Sequence, residues 1–272
     1  MSHSPYQDLF IYYLEGRVQP SAALQACDGF IGNWEEEGDS FLFFSRPAEE
    51  TVNLLIEQQS HLTLADSYRM AYEDWQGGDA RPITVGRLHI VAPWHTDIPA
   101  DGSDVVLLDP GVVFGTGAHP TTHDCLTALQ LAMDRSPVTQ VLDLGTGTGL
   151  LALAAARLGA ERVLAIDLNH LAVQTARRNV GLNNMRDRVL VAQGNAKNFM
   201  DLAGDLMVSN IHYDAMRVLV DAPEFRAHKQ YVLSGLLRSQ AKHIETSLLR
   251  RSTILQKWER DGIWYTFWGK TQ

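Results

Sequence analysis

Between residues 140 and 192 the chain alternates strand and helix around a glycine-rich turn, and few folds survive that constraint. Gln140 to Leu144 reads as a strand, Gly145-Thr146-Gly147-Thr148-Gly149 breaks it, and Leu150 to Leu158 is a helical run of Leu and Ala. The pattern repeats with a strand over Arg162 to Ile166, a helix over Leu171 to Val180 and a strand over Arg188 to Ala192. A helix over Thr122 to Met133 precedes these elements, and strands at Asp205 to Ser209 and Gln230 to Ser234 follow them. Strands separated by helices imply an α/β fold, with a parallel sheet covered on both faces.

The glycine turn narrows the ligand. Glycine lets the chain turn tightly and lets a ligand approach the backbone with no Cβ in the way. The second strand ends in Asp167, 22 residues after Gly145 (167 − 145), where an acid can accept both hydroxyls of an adenosine ribose. A dinucleotide fingerprint needs a third glycine three residues after the second, and Leu150 stands there instead, with Gly149 one residue early. Asp143, directly before the loop, is unfavourable beside a pyrophosphate and favourable beside a cation. S-adenosylmethionine carries a sulfonium and an ammonium. The sequence therefore predicts that cofactor rather than NAD, with Asp143, Gly145, Gly147, Gly149 and Asp167 around it. The alternative is a strand–helix turn with no ligand, which seldom carries both acids.

Composition excludes several classes. The chain has 272 residues, enough to bury a core without metal or disulfide staples. Its formal net charge of −9 is the wrong sign for a nucleic-acid binder and is compatible with a basic protein partner. Cys27 and Cys125 alone make neither a disulfide framework nor a metal site, so no metal is expected. Met1 to Pro5 shows no leader pattern, and the apolar run Leu150 to Leu158 is too short to span a bilayer. A cytoplasmic protein is expected.

The first 75 residues read as a unit of their own. A strand at Leu9 to Leu14 is followed by a short helix over Ser21 to Cys27. Strands at Phe30 to Glu36 and Phe41 to Ser45 flank the turn Glu37-Gly38-Asp39. A helix opened by Pro47 and a strand near Tyr68 to Tyr72 complete β-α-β-β-α-β, the order of a ferredoxin-like split βαβ unit. The polar stretch 76–82 is the expected linker, and two strand-like runs, Ile83 to Val91 and Val105 to Leu108, open the second domain, residues 83–272.

Two further segments carry polar groups suited to chemistry. Asp109 to Thr122 holds three glycines, two prolines and several hydroxyls ahead of a helix. Thr121 with Asp124 three residues on approximates a capping box, which leaves Thr122 or His119 to face a ligand. For His119 a structural hydrogen bond stands beside a catalytic task. Met207-Val208-Ser209-Asn210 ends a strand in an amide. In an open parallel sheet the carboxyl ends of the strands face the ligand crevice, so Asn210 is the candidate to accept a hydrogen bond from an attacking amine. A turn-forming asparagine is the plainer reading of the same residue.

Together these stretches resemble the PrmA family, bacterial methyltransferases of the ribosomal protein named eleventh in the large subunit. The resemblance covers roughly residues 82 to 268. Its most specific part is Phe114-Gly115-Thr116-Gly117-Ala118-His119-Pro120-Thr121-Thr122, joined by Asp143 to Leu151, Ala165-Ile166-Asp167, Ser209-Asn210-Ile211, and Leu233 to Leu237 with Gln240. It implies a Rossmann-like class I methyltransferase sheet with a small N-terminal α+β domain that recognises the substrate. It also implies cofactor contacts at Thr122, Gly145, Asp167 and Asn210, and a ribosomal protein whose amine accepts the methyl group. His212 stands where the family usually has Leu, followed by Tyr213 and Asp214. Phe114, His119, His212 and Tyr213 are thus the candidate walls of the acceptor pocket, with core packing an equal alternative for Phe114. A methyltransferase for another substrate, or a non-catalytic adenosylmethionine-binding module, remains an alternative function.

Overall fold

The computed structural model describes residues 5–76, 81–95 and 104–272. The chain divides into two compact units, Met1–Arg81 with Asn169–Leu171, and Pro82–Leu168 with Ala172–Gln272. Of the expected linker, residues 77–80 lie outside the described residues, as do the first four residues of the chain.

The first unit runs β1 (Asp8–Glu15), α1 (Ala22–Ala26), β2 (Phe30–Glu36), β3 (Asp39–Phe44), α2 (Glu49–Gln58), β4 (Thr63–Ala71) and a one-turn helix α3 (Tyr72–Trp75). Its sheet order is β2-β3-β1-β4 with every pair antiparallel, which is the ferredoxin-like split βαβ arrangement. Alternating residues Tyr12, Leu14, Leu42 and Phe44 point inward and pack with Val52 and Leu55 of α2. β4 begins five residues before the expected Tyr68 and ends before Tyr72 (68 − 63). Its first half, Thr63-Leu64-Ala65-Asp66-Ser67, is exposed along an outer edge and lacks the apolar alternation that marks a half-buried strand.

The second unit opens with a three-stranded sheet of β5 (Ile83–Val85), β6 (Leu88–Val91) and β7 (Val105–Leu107). The run expected as one strand over Ile83 to Val91 is instead a hairpin, broken at Gly86, where the chain turns back. There follow α4 (Pro120–Arg135), β8 (Gln140–Leu144), α5 (Leu150–Arg157), β9 (Arg162–Asp167), α6 (His170–Leu182), β10 (Val189–Gln193) and β11 (Gly204–Asn210). The chain ends with α7 (Tyr213–Asp221), β12 (His228–Leu237), α8 (Arg238–Leu248), β13 (Ser252–Arg260) and β14 (Trp264–Thr271).

Strand order in the large sheet is β10-β9-β8-β11-β12-β14-β13. The first five are parallel, as expected, but β14 runs antiparallel to both β12 and β13. Only a tight turn separates β13 from β14, so they pair as a hairpin and close one edge of the sheet. Alternate residues of the central strands face opposite layers. Val141, Val163 and Leu206 pack with α4, α5 and α6, and Leu142, Leu144 and Met207 pack with residues of α7 and α8. Between β8 and β11 the chain switches from one side of the sheet to the other, which opens a crevice at the carboxyl ends of the strands.

Candidate active site

The glycine loop fills that crevice from one side. Gly145, Gly147 and Gly149 all have positive φ, at 75°, 55° and 86°. At Gly147 a Cβ would stand 2.6 Å from the backbone oxygen of Phe114, so a side chain is excluded both by conformation and by space. Asp167, half-buried at the end of β9, accepts a hydrogen bond from the Gly147 N–H at 2.9 Å. The expected ribose-binding acid and the glycine loop are therefore one hydrogen-bonded assembly.

Asp143 departs from its expected place in the ligand wall. It is fully buried beneath the loop, where its Oδ2 accepts from the Thr146 hydroxyl at 2.6 Å. Burial pushes its carboxyl up to about 7, with the Asp167 charge adding to the rise. The residue before the loop thus ties the turn from below. The donor set still fits an adenosyl sulfonium. Acids stand beneath the loop and at the β9 end, and from Asp143 to Leu151 the sequence holds no Lys or Arg for a pyrophosphate.

The second wall is the loop that leads into α4. Its approach is held by α6 and the turn after it: Asn179 of α6 exchanges hydrogen bonds with the Asp109 backbone, and Asn183, just past the helix, does the same with Leu107. The cap of α4 is His119, not Thr121. His119 Nδ1 accepts from the Thr121 N–H at 3.3 Å and lies 2.7 Å from the Thr121 hydroxyl, and Pro120 follows at the first helical position. Burial holds the His119 imidazole below the usual histidine range. Since Nδ1 accepts, the proton of the neutral ring belongs on Nε2.

Freed from capping, both threonine hydroxyls turn to Asn210. Its Nδ2 donates to Thr121 Oγ1 at 3.2 Å and to Thr122 Oγ1 at 3.4 Å. This fixes the amide with its Oδ1 on the opposite side. Gly235 of β12, at φ 88°, makes the room: a Cβ there would lie 2.9 Å from that Oδ1. Sequence reading reached Gly235 only through the family resemblance; its signal is a glycine interrupting an apolar strand. Gln240, reached the same way, accepts from the Leu237 N–H at 2.9 Å and starts α8.

The remaining pocket candidates separate. Phe114 is 57% exposed and meets the His119 ring edge-on at 5.4 Å between centroids, so core packing does not describe it. His212 is exposed ahead of α7. Tyr213 is half-buried, and its hydroxyl is hydrogen-bonded to Nδ1 of His243 on α8, a partner sequence reading missed. Among the described residues no group of three His, Cys, Asp or Glu is placed to hold a metal, and no helix is long and apolar enough to cross a membrane.

Comparison with known proteins points to one family. The family model described as ribosomal protein L11 methyltransferase (PrmA) matches residues 41–272 and so reaches further toward the N-terminus than the 82–268 stretch read from the sequence. The ribosomal protein L11 methyltransferase of Anoxybacillus flavithermus is 36% identical over 195 residues, 70% of this chain and 62% of that protein. That of Desulforamulus reducens is 34% identical over 205 residues, 73% of this chain and 66% of the relative. The match thus spans a little under two thirds of these curated relatives. A crystal structure of the ribosomal protein L11 methylase from Lactobacillus delbrueckii subsp. bulgaricus is similar with a TM-score of 0.58 and 30% identity, covering 70% of this chain and 98% of that one. The chain belongs to the PrmA family.

Proposed function

We propose that the protein is an S-adenosylmethionine-dependent N-methyltransferase acting on amino groups of a protein, with ribosomal protein L11 as the substrate. The observation that carries this reading is the amide of Asn210, locked by two threonines at the carboxyl end of β11 across the crevice from the glycine loop. The cofactor, when bound, supplies a methyl group already activated by its sulfonium. Gly145, Gly147, Asp167 and Thr122 would hold it.

The chain's own task is alignment of the nucleophile. An acceptor amine must first lose a proton. For a free lysine at pH 7 that costs about 4.6 kcal/mol, and for a chain-terminal amine about 1 to 1.5 kcal/mol. Entry into a water-poor pocket lowers an amine pKa, so a dedicated base is not required. Asn210 Oδ1 then accepts from the neutral amine and directs its lone pair toward the methyl.

The first unit is the proposed recruiter. Residues 1–81 carry 14 acids and 4 bases, a net charge of −10 (4 − 14), while residues 82–272 carry 18 acids and 19 bases, a net +1. Acids such as Glu35, Glu36 and Glu37 gather at the β2–β3 turn, and such a surface favours a basic partner such as a ribosomal protein. Replacing Glu36 and Glu37 with Gln should raise KM for intact L11 and leave kcat with a short lysine peptide unchanged. Equal loss on both acceptors would assign this unit to stability instead.

The experiment that tests the function combines purified protein, methyl-labelled cofactor and L11, with the product mapped by mass spectrometry. Label on amines of L11 is expected. Label on another protein of the source lysate, with L11 untouched, would keep the chemistry and replace the substrate.

A further inference from the structure

The Asn210 side chain is held by α4, but the backbone that carries it is held elsewhere. β11 and β12 run side by side, with Asn210 in register with Ser234. Each strand feeds a helix on the same face of the sheet, α7 from Tyr213 and α8 from Arg238. Two glycines let the chain after Asn210 pack closely. A Cβ at Gly145 would stand 2.1 Å from Ile211 Cγ2, and one at Gly235 would stand 2.9 Å from the Ile211 carbonyl oxygen. Ile211 is thereby wedged between the glycine loop and β12.

Beyond Ile211 the two helices differ in how they start. His212, which precedes α7, is exposed and its side chain does not cap the helix, so the first turn lacks that support. α8 is tied at its start, where Gln240 accepts from the Leu237 N–H at 2.9 Å. One contact joins the tied helix to the uncapped one. The hydroxyl of Tyr213, the first residue of α7, shares a hydrogen bond with Nδ1 of His243, 30 residues on, and the two rings lie 5.9 Å apart. The contact closes a ring around the strand ends. Asn210, Ile211 and Tyr213 form one side of it, and Gly235, Gln240 and His243 form the other.

We propose that Tyr213 and His243 form a clasp that positions the Asn210 amide for methyl transfer. Among the described residues no hydrogen bond joins either one to the glycine loop, to Asp167 or to Asn210, so both act through the backbone of the β11–α7 turn. They are positioning residues. Alignment is what the turn supplies, and a misplacement of about 1 Å can cost as much as 100-fold in rate. The clasp lies at the surface, where His243 is exposed, so its bond adds little to the stability of the whole chain. A device of this kind should show in the rate and not in the melting temperature. The proposal rests on the amine-transfer reading above and adds what aims the amide.

The test is single-turnover methyl transfer by the full-length protein at saturating cofactor. Rates are read on L11 or, if L11 is untouched, on the lysate protein that the wild type labels, so a wrong substrate and a failed clasp give different results. Tyr213→Phe and His243→Leu should each lower the rate about threefold to tenfold, the scale of one neutral hydrogen bond. The double variant should be no slower than either single one, because both remove the same contact. His243→Asn keeps a polar atom near the place of Nδ1 and should recover most of the rate. All these variants should melt close to wild type and bind S-adenosylhomocysteine with unchanged affinity. An unchanged rate in folded Tyr213→Phe, or a double variant slowed by the product of the two single effects, would overturn the clasp and leave the proposed function standing. So would a rate loss matched by an equal loss of S-adenosylhomocysteine affinity, since the pair would then serve the cofactor. A wild type that transfers methyl to no protein would overturn that function and the clasp with it.

Discussion

Two loops meet at the carboxyl edge of the seven-stranded sheet, and they are built on opposite principles. The loop Gly145 to Gly149 is shaped by what its residues lack: it has three positive φ angles and, at Gly147, a backbone approach closer than any side chain permits. The loop Phe114 to Thr122 also turns at two positive-φ glycines, Gly115 and Gly117, but its end is shaped by what its residues carry: His119 bonds to Thr121, and Thr121 and Thr122 bond to Asn210. A loop made of backbone has no substitute parts and fails as a unit. A loop made of side chains can lose one and keep its path. Holding a cofactor needs the first kind of rigidity; adjusting an acceptor's hydrogen bonds needs the second kind of chemistry.

The largest effect should follow from breaking the backbone loop. Gly147→Ala places a Cβ against the Phe114 carbonyl at a left-handed φ, and should cost about 2–4 kcal/mol of stability from conformation and overpacking together. Affinity for S-adenosylhomocysteine should fall more than about 100-fold, since the loop would no longer close on Asp167. Denaturation and calorimetry read both. Destabilisation with affinity intact would break the comparison, because the loop's shape would then serve folding alone.

A smaller effect should follow at Asp167. Asp167→Ala removes the loop's acceptor and the acid proposed to hold the ribose, and should weaken S-adenosylhomocysteine binding by about 1.5–3 kcal/mol, the scale for hydrogen bonds to a charged group. NADH should bind wild type far more weakly than S-adenosylhomocysteine does. Comparable binding of the two would overturn the cofactor assignment.

The mildest effect concerns Asp143 and its pH dependence. Its folded pKa is raised, so the folded state holds the proton more tightly than the unfolded chain does. Its contribution to stability is whole below about pH 3.8 and is lost as pH rises through about 7. Asp143→Asn keeps the shape and cannot ionise. Relative to wild type, the variant should therefore gain stability between pH 5 and 8, on the order of 1 kcal/mol or more at pH 8. A variant that tracks wild type across that range would show that Asp143 ionises freely under the loop.

How much of this was legible in the sequence follows the same division. The glycine loop, Asp167 and the alternation of strands and helices were readable because backbone demands restrict residue type at each position. The side-chain loop was readable only as a set of candidates. His119, Thr121 and Thr122 are all polar, and choosing the cap turned on Pro120, whose place at the first helical position points to the residue before it. The buried side of Asp143 was hidden, since a parallel strand is covered on both faces and gives no alternation to read. The C-terminal hairpin was hidden for the opposite reason. Ser252 to Arg260 alternates exposed and half-buried residues with Gln, Lys, Glu and Arg among them, a weak apolar signal along an outer edge. That hairpin carries Trp264, which packs against His119, and Arg260, which pairs with Asp124 of α4, so contacts to the side-chain loop and its helix lay in the least readable segment.

The central claim is that Asn210, oriented by the side-chain loop, directs the acceptor amine in the proposed reaction. Single-turnover methyl transfer to L11 by Asn210→Ala, with cofactor at saturation, tests it most directly. The account predicts a folded protein with a methyl-transfer rate lower on the order of 10²-fold, the cost of one orienting hydrogen bond lost from the transition state. A rate within twofold of wild type would contradict it, and would reduce Asn210 to a turn residue at the end of β11.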